Sequence, residues 1–412
     1  MREIRSPLDG ILSPFAAKPP VPFVPSSLFA SGEDGAWYDP SDVTSLYQSL
    51  TGGDYADADG DVVGIMLDKS QMGSSTAAAF IAAQLDLVTN GTFDTDFTGW
   101  TTSGTPTVVS DRAELDRNGT IDIVRQTFTT VAGYGYILTG NVTGTLGKIG
   151  IGTTSLNDDL LDASGLNGDF QRFFVATGTT THIYLITAST GTSSWDNITV
   201  KEIPGNHAVA PSDAARPLYK TAGGLHWLEF DGVDDSMDTT NNHPFTFTGG
   251  VSVFSGFRKI GVTDTYETLF GVGTVGNGVT NGTKSMGFQV TDNGSNRLAT
   301  DIWQPSGIRG TTVLTSPVSG VATWNIANWS THRTSGGVIR LDGADESAVA
   351  YGPTDPTSLN TSVMKVGVFD AVLAGTYFSG RMYGLLARNT VSSSDEIAEM
   401  EAYLAAKSGV TL

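Results

Sequence analysis

The chain contains no cysteine. That excludes a disulfide framework, a thiolate metal site and a cysteine nucleophile. Charge is also scarce: only 16% of the 412 residues are Asp, Glu, Lys or Arg. Basic residues are the scarcer kind, 23 Lys and Arg against 43 Asp and Glu, for a net charge of −20. This balance argues against a nucleic-acid partner, whose phosphates need a basic face, and against anionic membrane surfaces. No apolar run reaches the length of a membrane-spanning helix, so no membrane insertion is expected. The opening Met1-Arg2-Glu3-Ile4-Arg5-Ser6-Pro7 has charges but no apolar stretch behind them, unlike a secretory signal.

What is abundant is glycine, 50 residues, together with threonine, serine and asparagine. Little charge with much Gly and Thr suits strands and tight turns better than helices. Hydrophobic residues, 39%, suffice for real cores. The length allows two or three domains. The expected fold is mainly β: two tandem β-sandwich (jelly-roll) domains after an extended N-terminal arm and a small αβ unit, closed by a C-terminal amphipathic helix.

Residues 1–26 read as an extended anchoring arm. Pro7, Pro14, Pro19, Pro20, Pro22 and Pro25 block helix and central strand. Bulky apolar residues between them, such as Phe15, Phe23 and Val24, have no core of their own, so docking on another subunit is expected. Residues 27–85 read as a small anchoring or linker domain. Within it Asp54 to Asp61 looks superficially like a calcium loop but lacks the distal Glu, and a polar hairpin loop is the preferred reading. Residues 86–203 carry alternating β-type runs broken by Gly, Asn and Ser, the pattern of a sandwich. A linker over 204–215 precedes a second sandwich over 216–412. Its final segment predicts a helix: Ser392 to Ser394 offer caps, Asp395 and Glu396 fill the first turn, Ile397, Met400, Tyr403 and Leu404 make one stripe, and Gly409 stops it.

Three sets of residues carry a family resemblance. Asn90-Gly91-Thr92-Phe93 with Gly99-Trp100, and the closing Ser194-Trp195-Asp196-Asn197-Ile198, resemble a carbohydrate-binding module of the jelly-roll type. Phe230-Asp231-Gly232 and Phe378-Ser379-Gly380-Arg381-Met382-Tyr383-Gly384 resemble a laminin-G, concanavalin-A-like sandwich. Arg5-Ser6-Pro7-Leu8-Asp9-Gly10, Gly35 to Asp42 and Val63 to Asp68 resemble the start of head- or tail-appendage proteins of phages and gene-transfer particles.

The first resemblance implies a structural calcium ion where the opening and closing strands meet, near Gly91, Asp94 and Asp196, with Asp196 matching best. Asp231, Asp234 and Asp235 could act similarly, but a plain β-turn is preferred there. Sugar binding needs exposed aromatic faces for the apolar side of a pyranose. The candidates are Tyr134, Tyr136 and Tyr184 in the jelly roll and Tyr266 and Trp303 in the second sandwich, with Trp324 and Trp329 as further options. Trp100 and Trp195 are expected in the core. Searching for catalysis finds no HExxH, GxSxG or phosphate loop, and neighbouring carboxylates such as Asp158 and Asp159 point to opposite faces of a strand.

The expected function is a non-enzymatic virion protein, a fibre or spike component. The arm, residues 1–26, would hold it to capsid or tail subunits, and it would be a homo-oligomer or present in many copies. It would be assembled in the host cytoplasm and become extracellular on the particle, presenting lectin-like modules to host surface polysaccharide. The rival readings are a secreted bacterial adhesin, the binding module of a polysaccharide-degrading enzyme, or a purely structural capsid decoration protein.

Overall fold

The structure is a computed structural model that describes residues 22–239, 250–261, 267–272, 285–290, 298–303, 319–326, 338–348, 364–369 and 376–412. The mainly β reading holds. Among the described residues the strands form three antiparallel sheets, accompanied by two α-helices, α1 (Ala77–Ala83) and α2 (Ser394–Ser408). Among the described residues, no helix is long and apolar enough to cross a membrane.

The middle segment folds as its pattern predicts. The long strand Gly135–Gly152 pairs with Leu161–Val175 along most of its length. Its first half also pairs with Thr192–Ile203 and its second half with Thr180–Thr187. The register shifts between Val142 and Gly147, which lets one continuous strand serve two sides of a wrapped sheet. Trp195, Phe170, Phe93, Trp100, Ile149 and Val142 fill the space inside. Trp100 and Trp195 are therefore core residues, as expected.

The second sandwich is built differently from the sequence reading. Residues 27–85 do not stand apart as an anchoring unit. Strand Gly35–Tyr38 pairs with the closing strand Ser379–Arg388, Trp37 opposite Leu386. Short strands Leu46–Tyr47 and Ile65–Met66 extend the other sheet through Ala208–Val209, which itself pairs with Met237–Thr239. Ala36, Tyr38, Leu46, Val63 and Met66 belong to the same core as Leu228, Val253, Phe270 and Leu385. In space the jelly roll is thus an insertion, flanked by two stretches of chain that make one sandwich.

Alternation along the strands sorts the residues into layers, because successive side chains point to opposite faces. On one sheet Ala36, Val253, Leu385 and Ala322 face the inter-sheet core. Their neighbours Trp37, Phe254, Leu386 and Val321 face outward, where Ile397, Met400 and Leu404 of α2 cover them. On the other sheet Leu46, Met66 and Ala208 face inward. Tyr47, Ile65 and Val209 face outward, onto Ile137, Phe173 and Ile203 of the jelly roll. The order of layers is α2, sheet, sheet, jelly roll.

Helix α2 forms for the predicted reasons. Ser393 accepts from the Glu396 amide while Glu396 accepts from the Ser393 amide, a full capping box. Gly409 takes the left-handed conformation at φ 70°. Buried Glu401 is compensated by Arg340, 2.8 Å away, and by the Thr323 hydroxyl. The N-terminal segment docks on the same face. Phe23 meets Tyr403 edge-on at 6.3 Å, Leu28 and Phe29 are buried, and Arg388 donates to the Leu28 carbonyl at 2.6 Å. Phe23 and Val24, expected to seek a partner subunit, pack instead on their own chain's helix. The rest of the proposed arm, 1–21, lies outside the described residues.

Candidate binding cleft and the predicted site residues

The opening motif has a clear physical basis. Asn90 and Phe93 adopt positive φ, 53° and 51°. The Asn90 amide side chain donates to the carbonyls of Asp96 and Thr98, and Trp100 Nε1 donates to the Asn90 carbonyl at 3.0 Å. Phe93 is thereby turned inward against Trp100. Gly91 is required by contact: a Cβ there would sit 1.9 Å from the Ile198 carbonyl oxygen. The Gly91 carbonyl accepts from the Ile198 amide at 2.9 Å, so the opening and closing segments meet as predicted.

They do not meet around a calcium ion's ligand set. Asp196 Oδ2 lies 3.2 Å from Arg112 Nη1, and Asp196 Oδ1 accepts from the Asn197 amide. The Arg112 guanidinium is held by Asn141 Oδ1 at 2.7 Å and by the hydroxyl and carbonyl of Ser194. The Gly91 carbonyl is engaged with Ile198, and Asp94 is exposed. Calcium takes about six to eight oxygens. Here a guanidinium of the chain itself neutralises the principal carboxylate, so Gly91, Asp94 and Asp196 do not fit that ion.

The aromatic candidates separate on burial. Tyr136 has no exposed face: it is 0% exposed, stacks on Phe174 at 5.3 Å, accepts from the Val131 amide and donates to Glu202. Burial, and then the Glu202 carboxylate, push its phenol well up. Tyr184 is also buried, with its ring over Gly150 and its hydroxyl on Asp158 Oδ2 at 2.9 Å. Asp158 in turn pairs with Lys148 at 2.8 Å. Both tyrosines are buried, and a ring without an exposed face cannot stack on a sugar. Tyr134 is half-buried against the same core. Tyr266 lies outside the described residues, and so does Trp329. Trp303 ends the edge strand Ala299–Trp303, opposite Ser285. Trp324 lies opposite Val253 and Ile339 in a ladder.

The acidic turns behave as turns. Asp61 accepts from the amides of Asp57 and Ala58, and Asp59 from that of Thr221, as a polar hairpin loop should. Asp231 Oδ1 accepts from Val233, Asp234 and Asp235 amides, and Asp235 Oδ2 accepts from the Asp231 amide at 2.9 Å. Carboxylate oxygens of Asp231, Asp234 and Asp235 lie within 4.8 Å of one another. Burial, and then the charge on Asp231, push the Asp235 carboxyl up to about 7.

The junction between jelly roll and sandwich holds what the sequence did not flag. The loop 48–54 lies against strand Leu161–Val175, with the Phe173 amide donating to the Thr51 carbonyl at 2.7 Å and Gln171 donating to the Tyr47 hydroxyl. Gly52, at φ 81°, permits this approach, since a Cβ would lie 2.8 Å from the Phe173 nitrogen. Beside it, buried Asp68 accepts from the amides of Trp37, Ser70 and Asn206. His207 Nδ1 accepts from the Asp68 amide, leaving Nε2–H to donate to the Ile203 carbonyl. Burial disfavours charge on both groups, pushing Asp68 up and His207 down.

Two clefts flank this joint. One, about 460 Å³, is lined by apolar groups such as Leu50, Phe174, Val175 and Pro211, with Asp159 and Asp238 at its edges. The other, about 510 Å³, is polar and lined by Gln48, Asp54, Asn167, Asp169, Arg172 and Arg216 among others. Its residues come from three distant stretches of chain, so no local motif could have revealed it. Concave sites at domain boundaries are the usual place for small-molecule and saccharide ligands.

No family model matches the chain, and no curated protein matches it. Solved structures with some likeness include Trypanosoma rangeli sialidase in complex with a difluoro-KDN, 12% identical over 50% of this chain and 30% of that one, TM-score 0.33. The same organism's sialidase in complex with sialic acid is 11% identical over 88% of this chain and 61% of that one, TM-score 0.30. The CBM22-1–CBM22-2 tandem domain of Paenibacillus barcinonensis Xyn10C is 11% identical over 75% of this chain and 98% of its own, TM-score 0.26. The match thus spans under a third of the first sialidase structure, and likeness this slight carries no inference about ligand or activity.

Proposed function

We propose that the protein is a non-enzymatic structural component of a virion, a fibre or spike, held by its N-terminal arm and presenting saccharide-binding surfaces to a host cell. The observation that carries this reading is the layer order. The N-terminal segment roots on α2, on one outer face of the sandwich, and the jelly roll packs on the opposite face. A chain held by residues 1–21 would therefore point its jelly roll, and the clefts beside it, away from the point of attachment.

The packing of the junction supports the same reading. An apolar cluster, the Thr51–Phe173 bond and the Asp68 hub join the two bodies, which suits a projecting spacer better than a flexible accessory module. Weak single-site saccharide binding would be multiplied by copies on one particle.

Two measurements test the proposal. Removing residues 1–21 should leave the melting transition unchanged and abolish incorporation into particles; normal incorporation overturns the anchoring role. The full chain, multimerised, should bind host cells that carry surface polysaccharide and not cells stripped of it. Equal binding to both would contradict glycan recognition, binding to neither would favour a purely structural decoration protein, and release of sugar fragments would favour an enzyme.

A further inference from the structure

We infer that the polar cleft between loop 48–54 and strand Leu161–Val175 binds a carboxylate-bearing saccharide, a uronate or a comparable acidic sugar, with Arg172 and Arg216 receiving the carboxylate. This inference rests on the saccharide-binding reading above and names the class of sugar.

The cleft is unusual for this chain. Acidic residues outnumber basic ones almost two to one, 43 to 23, yet in this pocket of about 510 Å³ two arginines, Arg172 and Arg216, stand beside two aspartates, Asp54 and Asp169. Arg172 is half-buried, and the only hydrogen bond of its side chain among the described residues runs from Nη1 to the Gln171 carbonyl, its own neighbour. It forms no ion pair with a described carboxylate; Asp54 acts on it only at longer range. Burial, partly offset by Asp54, pulls the guanidinium below its ordinary value. A partly desolvated cation whose counter-charge acts only from longer range is an unfavourable arrangement that a bound anion relieves.

Arg216 is prepared in a different way. Nη1 donates to the Gln48 carbonyl at 2.9 Å and Nε to the Asp213 carbonyl at 2.9 Å. Its one carboxylate contact among the described residues, Asp213 at 3.5 Å, is with a side chain that is 79% exposed. Such a contact is weak, and a ligand carboxylate can compete with it. A planar guanidinium suits a carboxylate because two N–H groups meet two oxygens.

The rest of the wall suits hydroxyls. Asn167 offers an amide, Gln48 offers its amide oxygen while its Nε2 donates to the Tyr55 carbonyl at 3.0 Å, and Asp169 offers a carboxylate already oriented by the Asn141 amide at 2.7 Å. The aromatic lining is Phe170, which is buried. Recognition here would run through charge and hydrogen bonds rather than through stacking on a ring. A simple inorganic anion would meet the arginines alone; an acidic sugar would also reach Asn167 and the remaining acceptor atoms of Gln48 and Asp169.

The test is titration calorimetry of the full chain with oligogalacturonate, oligoalginate and oligosialate, each beside its methyl-esterified form, which has the same hydroxyls without the charge. The expected result is binding of at least one acidic oligomer, about tenfold or more weaker after esterification. Arg172→Gln should reproduce that loss with the thermal transition unchanged, since its side chain bonds only its neighbour's carbonyl. Arg216→Lys, which keeps the charge but not the fork, should weaken binding less than Arg216→Gln. Equal affinity for acid and ester, or an Arg172→Gln protein that binds as the parent does, overturns the acidic-sugar inference while leaving saccharide binding intact. Failure to bind any oligomer, acidic or esterified, by a chain that also ignores coated cells overturns both.

Discussion

Ile65 and Met66 are neighbours in a two-residue strand, yet they serve different bodies. Met66 is buried between the two sheets of the sandwich, and Ile65 is buried against Phe173 and Ile137 of the jelly roll. One residue of alternation separates the core of one domain from the interface with the other. The segment 27–85 is therefore a seam: its inward side chains complete the sandwich and its outward ones seat the insertion.

The seam should be energetically coupled to both bodies. Phe173→Ala removes a buried ring that packs on His207 at 5.8 Å and on the apolar junction. The expected cost is about 3–5 kcal/mol. Differential scanning calorimetry should show one transition in the parent and two, for jelly roll and sandwich, in the variant. A single unshifted transition would mean that the junction contributes little.

Gly91→Ala should damage the jelly roll through contact alone. The added carbon would lie 1.9 Å from the Ile198 carbonyl oxygen, so the opening segment must move off the closing strand. Loss of that pairing also disturbs the turn that buries Phe93. A lowered melting temperature, with faster hydrogen exchange at the Ile198 amide, is expected. An unchanged exchange rate at Ile198 would contradict the close approach.

Docking of α2 should be acid-sensitive. Burial pushes the Asp39 carboxyl up, but Lys407, Ser41 and Tyr403 together outweigh it and hold the group below the ordinary carboxylate value. The Tyr403 hydroxyl donates to Asp39 at 2.7 Å and Lys407 lies 3.1 Å away. A group depressed in the folded state contributes stability above the unfolded value, about 3.9, and loses it as pH falls through the lower folded value. Asp39→Asn should remove that part of the acid transition, as read by near-ultraviolet circular dichroism of the Trp37–Tyr403 pair. An Asp39→Asn protein whose acid transition matches the parent would show that the clasp is not the sensitive element.

Asp235 carries the opposite sign. Its carboxyl is pushed up to about 7 by burial and by Asp231. The folded state then holds a proton that the unfolded chain releases near pH 4, so stability falls as pH rises from there to about 7. Asp235→Asn keeps an oxygen for the Asp231 amide and removes the charge. It should stabilise the protein by roughly 1–3 kcal/mol at pH 8 and by little at pH 4. Thermal melts of both proteins at the two pH values decide it, and a variant no more stable at pH 8 would refute the assignment.

Tyr136→Phe tests whether that ring is a core element. The hydroxyl bridges the Val131 amide, 2.8 Å, and Glu202, 2.9 Å. Its removal should cost about 1–2 kcal/mol in unfolding by urea and leave saccharide binding unchanged. Weakened binding at equal stability would restore the residue to a site.

Much of the architecture was legible because it is local. Gly and Thr abundance with few charges indicates strands and turns. The spacing of Ile397, Met400 and Leu404 between Ser393 and Gly409 indicates a helix with a buried stripe. Asn90-Gly91-Thr92-Phe93 announces a turn whose side-chain bonds fall within ten residues. Each of these signals sits inside one window of sequence.

What the sequence by itself determined, then, is the β class, the two sandwich patterns, the capped terminal helix and the buried tryptophans Trp100 and Trp195. What the tertiary structure decided is which faces meet. Strands of two residues, such as Leu46–Tyr47 and Ala208–Val209, are too short to show a period; Leu46–Tyr47 takes its place by pairing with Ile65–Met66, and that strand in turn reaches Ala208–Val209, more than a hundred residues on. Alternation tells that Tyr136 and Tyr184 point to one face of a strand but not that protein covers it. Asp196 meets Arg112, and Arg172 shares a cleft with Arg216, only after the insertion folds and docks. Long-range burial sets which polar groups find partners within the chain, and only the folded molecule reveals that Arg172 is left with room for another.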